Sequence, residues 1–235
     1  MIPAPSPRQR FLAWSVHLFT ASGLLSGFMA ILAINAHDWR EAMLWLLLCV
    51  FIDGVDGTFA RWWRVKEVLP QVDGKTIDYV IDFATYAIIP AYFFYQAEMV
   101  SEAWRLPCTF IILLVSAIYY GIDGMVSDDL YFVGFPVMWN VAILFLFFVF
   151  QFPPAGNVAY ILLLAILHFV PVKFPYPSRT PDFRIPTIIA TVLLIGALMG
   201  VLWVYPAREA WLTGLSTAGV VYFTVVSIWA TFFKK

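Results

Sequence analysis

The sequence predicts an all-α membrane protein with about eight transmembrane helices and both termini in the cytoplasm. Of its 235 residues, 62% are hydrophobic and 12% are charged, whereas soluble domains carry about 45–50% apolar and roughly 25% charged residues. The apolar residues fall in runs close to the roughly 20 residues that a helix needs to cross a bilayer. Because so little charge is present, a soluble enzyme is excluded. We expect residues 1–235 to form a single transmembrane domain.

Eight apolar runs define the predicted spans, which we expect to be helices because they lack the alternation of a membrane β-barrel. The spans are 11–35, 42–61, 77–99, 107–122, 132–152, 156–172, 185–204 and 211–233. The first run is too long for the apolar core of a signal peptide. Cys49 and Cys108 both lie in apolar runs, so we expect buried thiols and not a disulfide.

The distribution of basic residues fixes the orientation. With eight spans and cytoplasmic termini, 11 of the 14 Lys and Arg residues lie inside, as the positive-inside rule requires of a protein in the bacterial inner membrane. The inside residues are Arg8, Arg10, Arg61, Arg64, Lys66, Lys75, Lys173, Arg179, Arg184, Lys234 and Lys235. The outside residues are Arg40, Arg105 and Arg208. The net charge of −1 gives no indication of a nucleic-acid partner.

Four aspartates lie where acids are costly. Asp53 and Asp56 fall in the last turns of the second span, and Asp78 and Asp82 in the first turns of the third. An ionised carboxylate in a membrane helix costs ~2.5–3.5 kcal/mol on insertion scales. The spacings i,i+3 and i,i+4 place each pair on one helical face, about 60° and about 40° apart. The cytoplasmic loop between the spans allows both faces to meet at one depth.

Converging carboxylates repel one another unless cations neutralise them, and hard divalent cations prefer oxygen ligands. The pattern therefore predicts a site for one or two Mg²⁺ or Mn²⁺ ions, suited to displacement at phosphorus. Gly57 and Ala60 reduce side-chain bulk beside the acids. Arg61 can pair with phosphate oxygens, and Gly74 can adopt a backbone conformation that other residues resist.

Other polar residues have simpler interpretations. We expect Asp73 to be a loop or helix-capping residue, and Asp123, Asp128 and Asp129 to be solvated loop acids. We expect His17 and His168 to be packed within helices.

These residues together resemble a known signature. Asp53-x-x-Asp56-Gly57-x-x-Ala60-Arg61 followed by Gly74-x-x-x-Asp78-x-x-x-Asp82 resembles that of the CDP-alcohol phosphotransferases, with all eight signature positions present. The interval between Arg61 and Gly74 holds 12 residues, which is longer than the common form of the motif.

The resemblance implies a role for each matched residue. Asp53, Asp56, Asp78 and Asp82 would coordinate one or two divalent ions, and Asp82 would also be the catalytic base that deprotonates the acceptor alcohol. The residues expected to bind the cytidine diphosphate are Gly57, Ala60, Arg61 and Gly74. The family is helical, usually homodimeric, and opens its site toward the cytoplasm.

Within the family, the chain resembles bacterial members that use choline. The features that carry this resemblance are the eight spans, the longer interval and the stretch from Tyr131 to Asn140. It implies transfer of the phosphatidyl group of CDP-diacylglycerol to choline. Choline is a quaternary ammonium that aromatic faces bind through cation–π attraction. We expect Tyr86, Tyr131 and Trp139 to bind it, with Tyr131, Phe135 and Trp139 on one helical face.

Two alternatives stay open. A sibling enzyme would use serine, inositol or glycerol-3-phosphate as acceptor, and Lys173, Arg179 and Arg184 could bind a phosphorylated one. A cation transporter would place its carboxylates near the bilayer midplane on broken helices. Here the acids cluster toward one surface, which favours the enzyme.

Overall fold

The computed structural model describes residues 5–177 and 180–234 and is mainly helical. Its elements divide into two compact units, residues 1–97 and 98–235. Within the described residues, six helical segments are long and apolar enough to cross a membrane, and Trp139–Phe150 and Pro154–Leu167 are shorter apolar helices. The prediction of a multi-pass helical membrane protein is confirmed. The count of eight spans and the orientation of the termini stay predictions.

The first unit is built on one long helix. Its elements are α1 (Pro7–Asn35), α2 (Trp39–Trp62), α3 (Val65–Val68), α4 (Gly74–Asp82), the π-helix π1 (Phe83–Ile88) and α5 (Ile89–Gln96). Helix α1 packs against each of the others. The last three elements form one continuous segment, Gly74–Gln96, which corresponds to the predicted third span.

Polar residues define where these helices begin. The Ser6 hydroxyl accepts a hydrogen bond from the Gln9 amide at 3.3 Å, and the Gln9 side chain accepts one from the Ser6 amide at 2.8 Å. This reciprocal pair satisfies two amides that would otherwise lack partners at the start of α1. Asp38 caps α2 through the Glu41 amide at 2.9 Å. Asp73 caps α4, which confirms its predicted capping role.

The second unit contains helices and a two-stranded ribbon. Its elements are α6 (Glu102–Tyr120), β1 (Tyr131–Val133), α7 (Trp139–Leu144), the π-helix π2 (Phe145–Phe150), α8 (Pro154–Leu167), β2 (Lys173–Pro175), α9 (Arg184–Val204) and α10 (Ala210–Phe232). The strands are antiparallel, with Phe132 opposite Phe174. Helix α10 packs against α9 and β2, and α6 packs against α8.

The ribbon corrects the sequence analysis. The prediction that a helix runs through 132–152 is wrong at its beginning, because Tyr131–Val133 is a strand and helix starts only at Trp139. Gly134 has a φ of 80°, a left-handed conformation that glycine adopts without a steric penalty. Tyr131 and Trp139 therefore do not share a helical face.

Candidate active site

The acidic cluster lies within the first unit, on the two helices that the sequence predicted. Asp53 and Asp56 lie on α2 in the turns before its end at Trp62, and Asp78 and Asp82 lie on α4. Asp56 is buried, and the other three are partly buried. All four line one small cavity of about 10 Å³, close to the volume of a single water-sized probe.

Three of the four carboxylates converge. Asp53, Asp78 and Asp82 each offer an oxygen, and these oxygens lie within 4.8 Å of one another. This separation is short enough for the three acids to be candidate ligands of one small hard cation, which prefers oxygen ligands. Asp56 lines the same cavity outside this group of three, beside Thr20. Its predicted role as a metal ligand stays a prediction.

Tyr86 supports the cluster directly. Its hydroxyl donates a hydrogen bond to Oδ2 of Asp53 at 2.8 Å, and its side chain is 5% exposed. The residue lies one turn after Asp82, inside π1. Short π-helical segments are rare and occur often at functional sites. The Tyr86 hydroxyl orients a carboxylate of the cluster, whereas its predicted contact with choline stays a prediction.

A larger, basic cavity of about 340 Å³ opens near the end of α2, lined by Ala60, Arg61, Arg64, Lys66 and Glu67. It includes two of the residues that the family resemblance assigns to the cytidine diphosphate. Gly57 lies one turn before Arg61, and a Cβ atom there would lie 3.4 Å from the Arg61 guanidinium.

The long interval between Arg61 and Gly74 is an ordered part of this region. Val65 and Leu69, at either end of α3, pack against Ala13 and Val16 of α1. This apolar contact fixes the segment that carries Arg64 and Lys66. The additional residues of the interval therefore form one wall of the basic cavity.

Gly74 does not adopt the unusual backbone conformation that the sequence suggested, and its predicted contact with the cytidine diphosphate stays a prediction. It is the first residue of α4, so it needs no unusual backbone conformation. A Cβ atom at this position would lie 3.1 Å from Cε1 of His17, which is tighter than ordinary van der Waals contact. The lack of a side chain at Gly74 therefore makes room for the His17 ring on α1.

Helix α1 contributes residues that the sequence analysis did not assign to the site. Thr20 and Gly23 line the acidic cavity, and His17 lies one turn before Thr20. A polar pair at i,i+3 within an apolar span shares one helical face. The i,i+3 spacing of His17 and Thr20 could have indicated a polar face on α1. It does not indicate which helix that face contacts.

Tyr131 and Trp139 lie in the second unit, and both are completely buried. The Tyr131 hydroxyl donates to Asp182 at 3.0 Å, and the Lys234 ammonium lies 4.8 Å from the centre of the Tyr131 ring. The Trp139 indole donates to the Ser116 hydroxyl at 2.8 Å and stacks on His168. Their proposed contact with choline stays a prediction.

A cluster of opposite charges surrounds Tyr131. The Lys234 ammonium contacts both Asp129 and Asp182, and the Lys173 ammonium lies 2.8 Å from Asp129. Hydrogen bonds from Lys173 and then Ser127 hold the pKa of Asp129 well below its usual range. Asp129 is therefore an ion-pair partner and not the solvated loop acid that the sequence suggested.

The basic residues proposed for a phosphorylated acceptor are only partly described. Lys173 is paired with Asp129. Arg184 is exposed at the start of α9, and Arg179 lies outside the described residues.

Comparison with known proteins identifies the family. No family model matches the chain. The phosphatidylcholine synthase of Pseudomonas aeruginosa is 39% identical over 95% of this chain and 94% of its own. That of Borreliella burgdorferi is 35% identical over 94% and 95%, and that of Legionella pneumophila 33% identical over 96% and 91%. These similarities confirm the resemblance to bacterial phosphatidylcholine synthases. The chain is an enzyme that belongs to the phosphatidylcholine synthase family.

Proposed function

We propose that the protein transfers the phosphatidyl group of CDP-diacylglycerol to choline, forming phosphatidylcholine and CMP. The observation that carries this proposal is the convergence of Asp53, Asp78 and Asp82 within 4.8 Å. The basic cavity beside Arg61 supports it by offering positive charge to a diphosphate. The names of the relatives support the lipid product.

The proposed reaction is a displacement at phosphorus in which Asp82 is the general base. Asp82 accepts the proton of the choline hydroxyl while that oxygen bonds to the phosphorus attached to diacylglycerol. The bond from this phosphorus to the oxygen shared with CMP breaks, and CMP leaves with the electron pair. Arg61, at the end of α2, binds phosphate oxygens and orients the donor.

A divalent cation completes the proposed site. Mn²⁺ or Mg²⁺ held by Asp53, Asp78 and Asp82, with Asp56 as a further predicted ligand, would neutralise charge on the diphosphate and on the departing CMP. We further propose that the enzyme is a homodimer in the bacterial inner membrane and that its site opens to the cytoplasm.

The direct test is CMP release by the purified protein. CDP-diacylglycerol and Mn²⁺ are supplied with choline, ethanolamine, serine, inositol or glycerol-3-phosphate, and CMP is measured. Release with choline in preference to the other acceptors supports the proposal. Release with serine or glycerol-3-phosphate but not with choline would assign the protein to a sibling reaction. A protein that releases no CMP with any acceptor would contradict the phosphotransferase function itself.

We propose that aromatic faces select choline, with Trp139, Tyr131 and Tyr86 as candidates. A cation–π contact contributes ~0.5–2 kcal/mol, so Trp139→Ala and Tyr131→Ala should raise the choline KM about 2- to 30-fold. Trp139→Phe should restore part of the affinity. Ser116→Ala is the matched control, because it removes the hydrogen-bond partner of Trp139 and keeps the indole. An unchanged choline KM in the alanine variants would rule out the proposed contact.

A further inference from the structure

An ion pair lies in the wall of the basic cavity at the end of α2. The Arg64 guanidinium contacts the Glu67 carboxylate at two points, because Nε donates to Oε1 at 3.0 Å and Nη2 contacts Oε2. Both residues line the cavity of about 340 Å³, a volume within the range of small-ligand sites. They fall between Arg61 and Gly74 in the chain, so the family signature assigns a role to neither.

The charges that line this cavity favour an anion. Arg61, Arg64 and Lys66 contribute three positive charges, and Glu67 is the one acid among the described residues that line it. The Glu67 carboxylate meets the Arg64 guanidinium in the two-point geometry that arginine also offers to phosphate. The structure thus shows an oxyanion of the chain itself in the place that a phosphate of a ligand would take.

The backbone fixes Arg64 while its side chain stays accessible. Its amide donates to the Arg61 carbonyl at 3.2 Å, and its own carbonyl accepts from the Glu67 amide at 2.9 Å. Packing of Val65 and Leu69 on α1 holds the segment in place. The side chains of Arg64 and Glu67 are 72% and 60% exposed. A ligand can therefore reach the guanidinium, and the carboxylate can move into water at little cost.

We propose that Arg64 binds the diphosphate of the nucleotide donor beside Arg61, and that Glu67 occupies the Arg64 guanidinium until the donor displaces it. The exchange replaces a carboxylate by a phosphate on the same nitrogen atoms, and no covalent bond changes. This inference rests on the proposed function, because it assumes a cytidine diphosphate ligand in this cavity. It makes Arg64 a substrate-binding residue and Glu67 an internal competitor that weakens donor binding.

The test uses the opposite effects expected of the two partners. Arg64→Met removes the guanidinium and keeps an unbranched side chain, whereas Glu67→Gln keeps the shape and removes the charge. The double variant completes a double-mutant cycle. Glu98→Gln is the matched control, because Glu98 is 67% exposed and pairs with Arg105 at 3.0 Å in the second unit. Folding is checked by circular dichroism and by gel filtration in detergent.

Binding of CDP and of cytidine is measured by calorimetry with excess Mn²⁺. A neutral detergent is used, so that no anionic lipid competes for the guanidinium. We expect Arg64→Met to weaken CDP binding about 10-fold, near the lower end for a hydrogen bond to a charged group. Glu67→Gln should strengthen CDP binding up to about 5-fold, the range of an exposed ion pair.

The double variant distinguishes displacement from a general effect of charge. When Arg64 is already replaced by methionine, Glu67→Gln should change CDP binding little, because no guanidinium is left to release. Cytidine carries no phosphate, so its binding should be unaltered in every variant. The control Glu98→Gln should bind CDP as the wild type does.

Three outcomes would overturn the inference. Normal CDP binding by folded Arg64→Met would remove Arg64 from the donor site. Weaker CDP binding by Glu67→Gln would mean that the ion pair supports the site and does not compete with the donor. Equal strengthening by Glu67→Gln with and without the Arg64 guanidinium would indicate a general effect of charge. Failure of the wild-type protein to bind CDP with Mn²⁺ would instead contradict the proposed function.

Discussion

Each of the two units contains a group of charged side chains. The two groups differ in whether positive and negative charges balance. In the first unit, three carboxylates approach one another within 4.8 Å on α2 and α4. In the second unit, Asp129 and Asp182 meet the ammonium groups of Lys173 and Lys234. The second group balances its own charge, whereas the first gathers like charges at the wall of a cavity. An arrangement of like charges is stabilised by a cation from outside the chain, which is why we assign the chemistry to the first group.

Removal of divalent metal ions should distinguish the two groups of charged residues most clearly. EDTA should abolish CMP release, because the acids of the first unit then repel one another and lose their electrostatic role. Mn²⁺ or Mg²⁺ should restore turnover, and Ca²⁺ should do so poorly because it prefers longer bonds and more ligands. The second unit should be indifferent to chelation. Full turnover in EDTA would contradict the metal site.

Asp82→Asn should have the next largest effect. Removal of a general base typically lowers kcat about 10²- to 10⁴-fold, and donor binding should be less affected, since Asp53 and Asp78 remain. Asp73→Asn is the matched control, because asparagine also caps helices well and Asp73 lies outside the cluster. CMP release and CDP-diacylglycerol binding are measured separately. Near-normal turnover in Asp82→Asn would mean that another group takes the proton.

Tyr86→Phe tests the link between an aromatic residue and the acids. Loss of the hydrogen bond to Asp53 should weaken Mn²⁺ affinity or activity about 10- to 100-fold, as is typical for residues that orient a metal ligand. Mn²⁺ binding is followed by electron paramagnetic resonance without substrates. Tyr92→Phe is the control, because the Tyr92 hydroxyl donates to Asn35 instead. If only the choline KM rises, Tyr86 belongs to the acceptor pocket and does not position Asp53.

The smallest effect is expected in the second unit. Hydrogen bonds from Lys173 and Ser127 lower the pKa of Asp129, so its contribution to stability is present above the ordinary aspartate pKa of about 4 and is lost as the pH falls toward the lowered pKa. A partly exposed ion pair contributes about 0.2–1 kcal/mol. Asp129→Asn should therefore lower Tm slightly at pH 7, and the difference from wild type should shrink below pH 4. A difference that grows on acidification would contradict the ion-pair role.

The sequence predicted those features that depend on local patterns. The helices of the first unit and the convergence of its acids follow from apolar runs and from spacings within single helices. The ribbon was missed because Tyr131–Val133 pairs with Lys173–Pro175, which is distant in sequence. The apolar residues of 132–152 are equally typical of one continuous membrane helix, so composition alone does not reveal the strand.

Contacts between helices also could not be predicted from the sequence. Tyr86 was recognised as a residue near Asp82, but its hydroxyl reaches Asp53 on α2. His17 was predicted to be a packed helix residue, and it does pack on Gly74. Which neighbour a polar helical face meets depends on how the helices pack, and periodicity within one helix carries no such information.

The π-helix that follows Asp82 has a consequence for how this protein can change during evolution. One extra residue in a helical turn shifts the phase of every later side chain by about 100°. The wide turn at Phe83–Ile88 thus sets the angular offset between the acids of α4 and the residues of α5. Substitutions in this segment alter one side chain, whereas deletion of a single residue would rotate all of α5 relative to the acids. Related sequences should therefore vary in composition here while keeping the distance between Asp82 and Ile89 constant.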